Sequence, residues 1–123
     1  MSKGPGTALV SGLGGRQQLR VGGNLSIVLS LVASARRVPV SELLWPTRST
    51  ADIAFARQIA MYLVHVGLGV SLSETGRAFG RDRTTAAHAC SLIEDKRDYL
   101  AFDLEVLCLE AALIAATAMG AAA

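Results

Sequence analysis

Between Arg81 and Thr85, five consecutive side chains offer a guanidinium, a carboxylate, a second guanidinium and two hydroxyls. An imidazole, His88, follows about one turn later. Such a run is costly at the start of a helix that only packs. It suits a helix whose N-terminal end is pushed into the major groove of DNA. A carboxylate can accept from cytosine N4, threonine methyls can meet thymine methyls, and arginine favours guanine O6/N7 or phosphate. Catalysis is a poorer use of the same residues. No Ser, Cys or carboxylate stands with His65 or His88 in a recognisable catalytic order, and no spacing suggests a metal. Cys90 and Cys108 fit no zinc pattern and sit among apolar residues, so both read as small buried hydrophobes. Neither an enzyme nor a cofactor is expected. For Asp82 the plain reading is a helix cap, and capping is compatible with touching a base.

The elements that must position these side chains are legible around them. Ser71-Leu72-Ser73-Glu74 is a capping box, in which the Ser71 oxygen accepts from the Glu74 N–H and the Glu74 carboxylate can reach back to the Ser71 N–H. A short helix is predicted from about Leu72 to Phe79. Gly80 should end it, since glycine tolerates the left-handed conformation found at helix C-termini. Asp82 can then cap the next helix by accepting from Thr84 or Thr85. Helix, short glycine turn and second helix with a polar tip make a helix-turn-helix.

The wider sequence carries a resemblance. Ala56-Arg57-Gln58-Ile59-Ala60-Met61-Tyr62-Leu63, then Phe79-Gly80-Arg81-Asp82-Arg83-Thr84-Thr85, then His88-Ala89-Cys90 and Ile93-Glu94, resembles the C-terminal DNA-binding domain of DnaA, the bacterial initiator of chromosome replication. Val32-Ala33 and Val38 to Leu44 extend the likeness, which covers roughly residues 25–99. The resemblance implies that Asp82, Arg83, Thr84, Thr85 and His88 touch bases or nearby phosphates, with Arg81 beside them. It also implies a basic loop that inserts an arginine into the minor groove, for which Arg48 is the candidate. Two departures bear on the target sequence. Arg83 stands where the family usually has His, and one glycine, Gly80, precedes Arg81 where two are common. The ATPase that DnaA couples to this domain has no counterpart in these residues, because no Gly-x-x-x-x-Gly-Lys-[Ser/Thr] loop is present. The expectation is a small stand-alone relative that keeps the DNA-reading module. It would bind DnaA-box-like double-stranded sites and regulate replication initiation or transcription. The alternative is an adaptor that docks DnaA or its regulators.

Composition agrees with one all-α domain, a small helical bundle of about five helices. The net charge of +2 conceals an asymmetry. Residues 1–57 hold seven Lys/Arg against two Asp/Glu, whereas residues 94–123 hold two against six. The basic part could face phosphates while the acidic tail points away, although small imbalances are ordinary. Residues 1–23 carry seven of the twelve glycines and read as a basic arm, either solvated or lying along DNA. No secretory signal is visible, which makes a cytoplasmic, nucleoid-associated protein the default.

The domain proper is expected over 24–99. Asn24 can cap a first helix whose Leu25, Val28, Leu29 and Val32 form an apolar stripe, ending near Arg36-Arg37 ahead of Pro39. A long helix capped by Thr50 or Ser49 should run to about Val66 as the central core helix, stopped by Gly67 and Gly69. Residues 100–123 read as a C-terminal apolar helix. Leu100, Leu104, Leu107, Ala111, Ile114 and Ala118 alternate spacings of four and three, while Val106, Leu109 and Leu113 lie on a neighbouring face. One face can cover the core. Two faces invite a partner, either a second copy through residues 100–119 or another replication protein. A membrane span is not expected, because Glu105 and Glu110 interrupt the run.

Overall fold

The computed structural model describes residues 11–44 and 50–122, with side chains from 23 to 44 and from 50 to 119. The described residues are helical throughout apart from turns. The helices are α1 (Ser11–Arg36), α2 (Val40–Leu43), α3 (Ala51–Tyr62), α4 (Leu72–Ala78), α5 (Arg83–Lys96) and α6 (Leu100–Ala122), with a π-turn at Leu63–Gly67. This is the expected small all-α bundle.

Helix α1 begins at Ser11, ahead of the expected start at Asn24. The helix therefore runs through Gly22-Gly23 and Gly14-Gly15, glycines whose low helix propensity favoured a later start. Residues 1–10, the rest of the expected arm, lie outside the described residues. The helix ends at Arg36, as its sequence predicts. Arg37 adopts φ 57°, and the Val38 N–H returns to the Ala33 carbonyl at 3.1 Å. Pro39 then opens the single turn of α2.

Helix α3 is the centre of the bundle, packed between α1 and α5. Ala56, Ile59, Ala60, Met61 and Tyr62 are all buried on it. Its start is capped as expected, with the Thr50 hydroxyl accepting from the Ile53 N–H at 3.3 Å. Its end differs from expectation. The α-helix stops at Tyr62, and the chain widens into a π-turn in which the Leu68 N–H reaches the Leu63 carbonyl at 3.1 Å. The wider turn leaves Leu63 and Val64 buried but turns Val66 to the surface, contrary to its expected core role. The His65 ring nitrogen Nδ1 lies 2.6 Å from the Val70 carbonyl and ties the π-turn to the strap that leads into α4.

Helix α6 closes the bundle against α1 and the π-turn. Gly67 lets it approach, since a methyl group there would meet the Leu113 side chain at 3.0 Å. The buried residues of α6 are Val106, Leu109 and Leu113. The heptad-like stripe at Leu100, Leu104, Leu107 and Ile114 is the exposed face. Cys108 is exposed too, which corrects its reading as a buried hydrophobe. It sits outside the arc of α6 that faces the core. Cys90 is half-buried, and burial pushes its thiol up to about 11. Among the described residues, no helix is long and apolar enough to cross a membrane.

Candidate nucleic-acid interface

The two helices of the motif are fixed at their ends by local hydrogen bonds. The Ser71 hydroxyl accepts from the Glu74 N–H at 3.1 Å and caps α4. The Glu74 carboxylate is turned to Arg77 in an ion pair, so the reciprocal half of the expected box gives way to a side-chain pair one turn on. At the other end of α4, Gly80 adopts φ +66°. The Gly80 N–H bonds the Arg77 carbonyl at 3.1 Å, and the Arg81 N–H bonds the Gly76 carbonyl at 2.7 Å. These are the two bonds of a Schellman cap, and they satisfy carbonyls that a helix end would otherwise leave open.

Asp82 starts the second helix as predicted. Its Oδ1 accepts from the Thr85 N–H at 2.8 Å. That bond, and a second from the Thr85 hydroxyl, hold the Asp82 carboxyl below its ordinary range. The capped end of α5 therefore keeps a carboxylate at the positive pole of the helix.

Helix α5 buries Ala86, Ala89 and Ile93 against α3 and α4. Arg83, Thr84, Thr85 and His88 are exposed on its remaining surface, with Asp82 exposed at its start. Their positions around the helix are not equivalent. By the helical period, Thr84 and His88 point most directly away from the buried side, while Arg83 and Thr85 flank them. Ser91 continues that outward line and is also exposed. The sequence reading missed it, although its spacing from Thr84 and His88 was visible. Beyond Ser91 the surface turns acidic at the exposed Glu94 and Asp95. The exposed Lys96 follows this acidic pair in the last turn.

Arg81 is placed differently from the others. Its guanidinium donates from Nη1 to the Phe79 carbonyl at 2.8 Å and is half-buried in the turn. Arg48 lies outside the described residues.

Two residues behind the motif set its position. Gly76 is buried in α4 where the turn folds back over it. A Cβ there would lie 2.6 Å from the Asp82 carbonyl oxygen and 2.9 Å from that of Arg81. A glycine inside a short helix was the available signal, since it weakens the helix and asks for a packing reason. Arg57 is buried on α3. Its Nε donates to the Leu43 carbonyl at 2.7 Å and its Nη2 to the Glu42 carbonyl at 2.8 Å. Both of these acceptors are main-chain carbonyls. Burial, and next the nearby Arg81 charge, lower its pKa, while Glu42 opposes them. Arg57 thereby ties the end of α2 to the central helix.

The comparisons with known proteins fall on the same stretch. The family described as "Bacterial dnaA protein helix-turn-helix" matches residues 25–93. The chromosomal replication initiator protein DnaA 1 of Protochlamydia amoebophila is 45% identical over 69 residues, which are 56% of this chain and 15% of that protein. DnaA of Lactococcus lactis subsp. cremoris is 50% identical over 66 residues, 53% of this chain and 14% of the relative. DnaA of Mesorhizobium japonicum is 46% identical over 81 residues, 63% of this chain and 16% of the relative. The aligned part is thus only about a sixth of these relatives or less, and α6 lies beyond the residues the family model matches. The matched stretch contains the stripe of α1, the core helix α3, both capped helices of the motif and the turn packed on Gly76, and by that match the chain belongs to the bacterial DnaA helix-turn-helix family.

Proposed function

We propose that this chain binds double-stranded DNA sequence-specifically at DnaA-box-like sites and there regulates initiation of chromosomal replication or transcription. The helix-turn-helix is a DNA-binding module, not a catalytic one. The observation that carries the reading is the exposed row Asp82, Arg83, Thr84, Thr85 and His88 at the capped end of α5, on a helix whose opposite side is locked into the core. A helix backbone held this way needs no further ordering when it enters a groove. Thr84 and His88 would face the bases. Arg83 would reach guanine or phosphate from the flank. Arg81, bonded within its turn, would act on the backbone at short range, and Arg48 would enter the minor groove. The acidic end of α5 would stay away from the phosphates. On this reading the protein works in the cytoplasm on the nucleoid and needs no cofactor.

The test is fluorescence anisotropy with a labelled duplex carrying a DnaA box against a scrambled duplex of equal length, across a salt series. A preference for the box that persists as salt rises supports the reading. Equal and steeply salt-dependent binding means that only phosphate contacts are made. Binding to neither duplex overturns it.

A second reading has one observation in its favour, the exposed apolar face of α6. It makes the chain an adaptor that docks DnaA or one of its regulators. Capture of purified DnaA that survives nuclease and Arg83→Ala, but is lost with Leu107→Asp, would favour it.

A further inference from the structure

Helix α6 carries three charged residues over its length, and all three are drawn towards the body of the domain. The Glu105 carboxylate pairs with Arg36 at 2.9 Å. Asp103 and Glu110 converge on Arg97, at 2.6 and 3.2 Å, and Arg97 also donates to the Tyr62 hydroxyl at 3.0 Å. Burial alone would lower the Arg97 pKa, but these bonds outweigh it and hold the guanidinium above its ordinary value. The outward face of α6 is left without a charge. Along it Leu100 is 72% exposed, Leu104 52%, Leu107 46% and Ile114 66%, with Met119 at 73% on the flank. Ala111 and Ala118 complete the stripe and are exposed as well.

We propose that this face is a homodimer interface, in which α6 packs against α6 of a second copy. The spacing argues for an identical helix. Leu100, Leu104, Leu107, Ala111, Ile114 and Ala118 alternate steps of four and three, the repeat that keeps an apolar seam turned to a partner helix and lets its knobs enter holes of the same pattern. A two-fold pair is self-complementary by construction. An antiparallel pair also sets the two helix dipoles side by side in opposite directions, each N-terminus beside the partner's C-terminus. The area is sufficient. The stripe exposes four large side chains by between 46% and 72% along its length, and two such stripes together approach the roughly 1,200 Å² lower bound of specific interfaces. A patch of that size is at the upper end of what monomers leave open. The alanines permit close approach, and there is no charge on the seam to desolvate. A dimer carries two copies of α5, so the inference adds a second reading head to the proposed function without depending on it.

The test is sedimentation equilibrium of the full chain from low to high micromolar concentration. The expected result is a species of twice the 12.8 kDa chain mass. The double variant Leu104→Glu, Leu107→Glu should weaken association by about thirtyfold or more, as interface hot spots do, with unchanged helical circular dichroism. Cys108 supplies a second measurement should that variant lose its helices. It lies near the middle of the stripe, so antiparallel pairing brings the two copies of Cys108 to the same level. A short thiol–thiol crosslinker should then join wild-type chains into covalent dimers, and Cys108→Ser should abolish them. A wild-type chain that stays monomeric over the whole range, a dimer that ignores the folded double variant, or an absence of Cys108-linked dimers overturns the inference. Because the readout is mass, failure here leaves the DNA reading standing, and failure of the DNA reading leaves the dimer standing.

Discussion

A methyl group on Gly76 would stand 2.6 Å from the carbonyl oxygen of Asp82, so the residue that starts the recognition helix rests directly on the backbone of the helix before it. The obstacle on both sides is main chain, which cannot rotate away. Gly76→Ala must therefore push the Arg81–Asp82 turn outwards and tilt α5. The expected cost is about 1–3 kcal/mol, the range for overpacking a tight contact. Denaturant melts should show the loss. DNA affinity should fall further than stability explains, because the displaced element is the one proposed to read DNA. A fully stable Gly76→Ala protein would mean that the turn has room to yield.

Asp82 makes the start of α5 sensitive to acid. Its folded pKa lies below the ordinary carboxylate value because the ionised form accepts from Thr85. The stability it contributes is present above the unfolded pKa and is lost as pH falls through the folded value. Asp82→Asn should keep the cap at neutral pH and remove this part of the acid dependence. Asp82→Ala should lower the melting temperature at pH 7 and converge with wild type near the bottom of the acid range. Thermal melts of the three proteins at pH 7 and in strong acid decide the point. Parallel curves throughout would remove Asp82 from the acid response.

Thr84 and His88 point away from the core more directly than Thr85 does. Thr84→Ala should weaken binding to the preferred site by about 1–3 kcal/mol and leave binding to a scrambled duplex nearly intact. Arg83→Ala should weaken both and lower the salt slope. Thr85→Ala should also reduce site binding while leaving non-specific binding mostly intact. Anisotropy titrations at two salt concentrations separate these cases. A Thr84→Ala protein with unchanged preference would place the groove face elsewhere on α5.

Arg57 holds α2 through two main-chain carbonyls, those of Leu43 and Glu42. Lysine cannot reproduce the planar fork that reaches both. Arg57→Lys should cost about 2–4 kcal/mol, on the scale of two hydrogen bonds to a charged group in a buried place. Urea melts read the cost directly. A loss well under 1 kcal/mol would show that α2 is held by its apolar contacts alone.

Thr75 is fully buried in α4, and its hydroxyl has no hydrogen-bond partner among the described residues. Thr75→Val keeps the shape and removes the unsatisfied polar atom. It should stabilise the domain by about 1 kcal/mol without altering DNA binding. A destabilised Thr75→Val protein would show that the hydroxyl has a partner in solution.

Contacts that close within a few residues along the chain are legible in the sequence. Ser71 on Glu74, Asp82 on Thr85, Thr50 on Ile53 and the left-handed Gly80 are all closed by groups three or four positions apart, so side-chain chemistry and spacing suffice to predict them. The helix-turn-helix and the exposed row on α5 follow from those ends. The tertiary structure decided what depends on distant neighbours. Two apolar faces of α6 were legible, but the packing of α1 and the π-turn selected Val106, Leu109 and Leu113 for the core and left Leu104 and Leu107 outside. The carbonyl partners of Arg57 lie 14 and 15 residues away, and only the approach of α2 brings them within reach. Gly76 is required by the returning turn, whose backbone occupies the space of its missing side chain. Local hydrogen bonds carry their geometry with them, whereas burial is assigned only when elements far apart in sequence compete for the same surface.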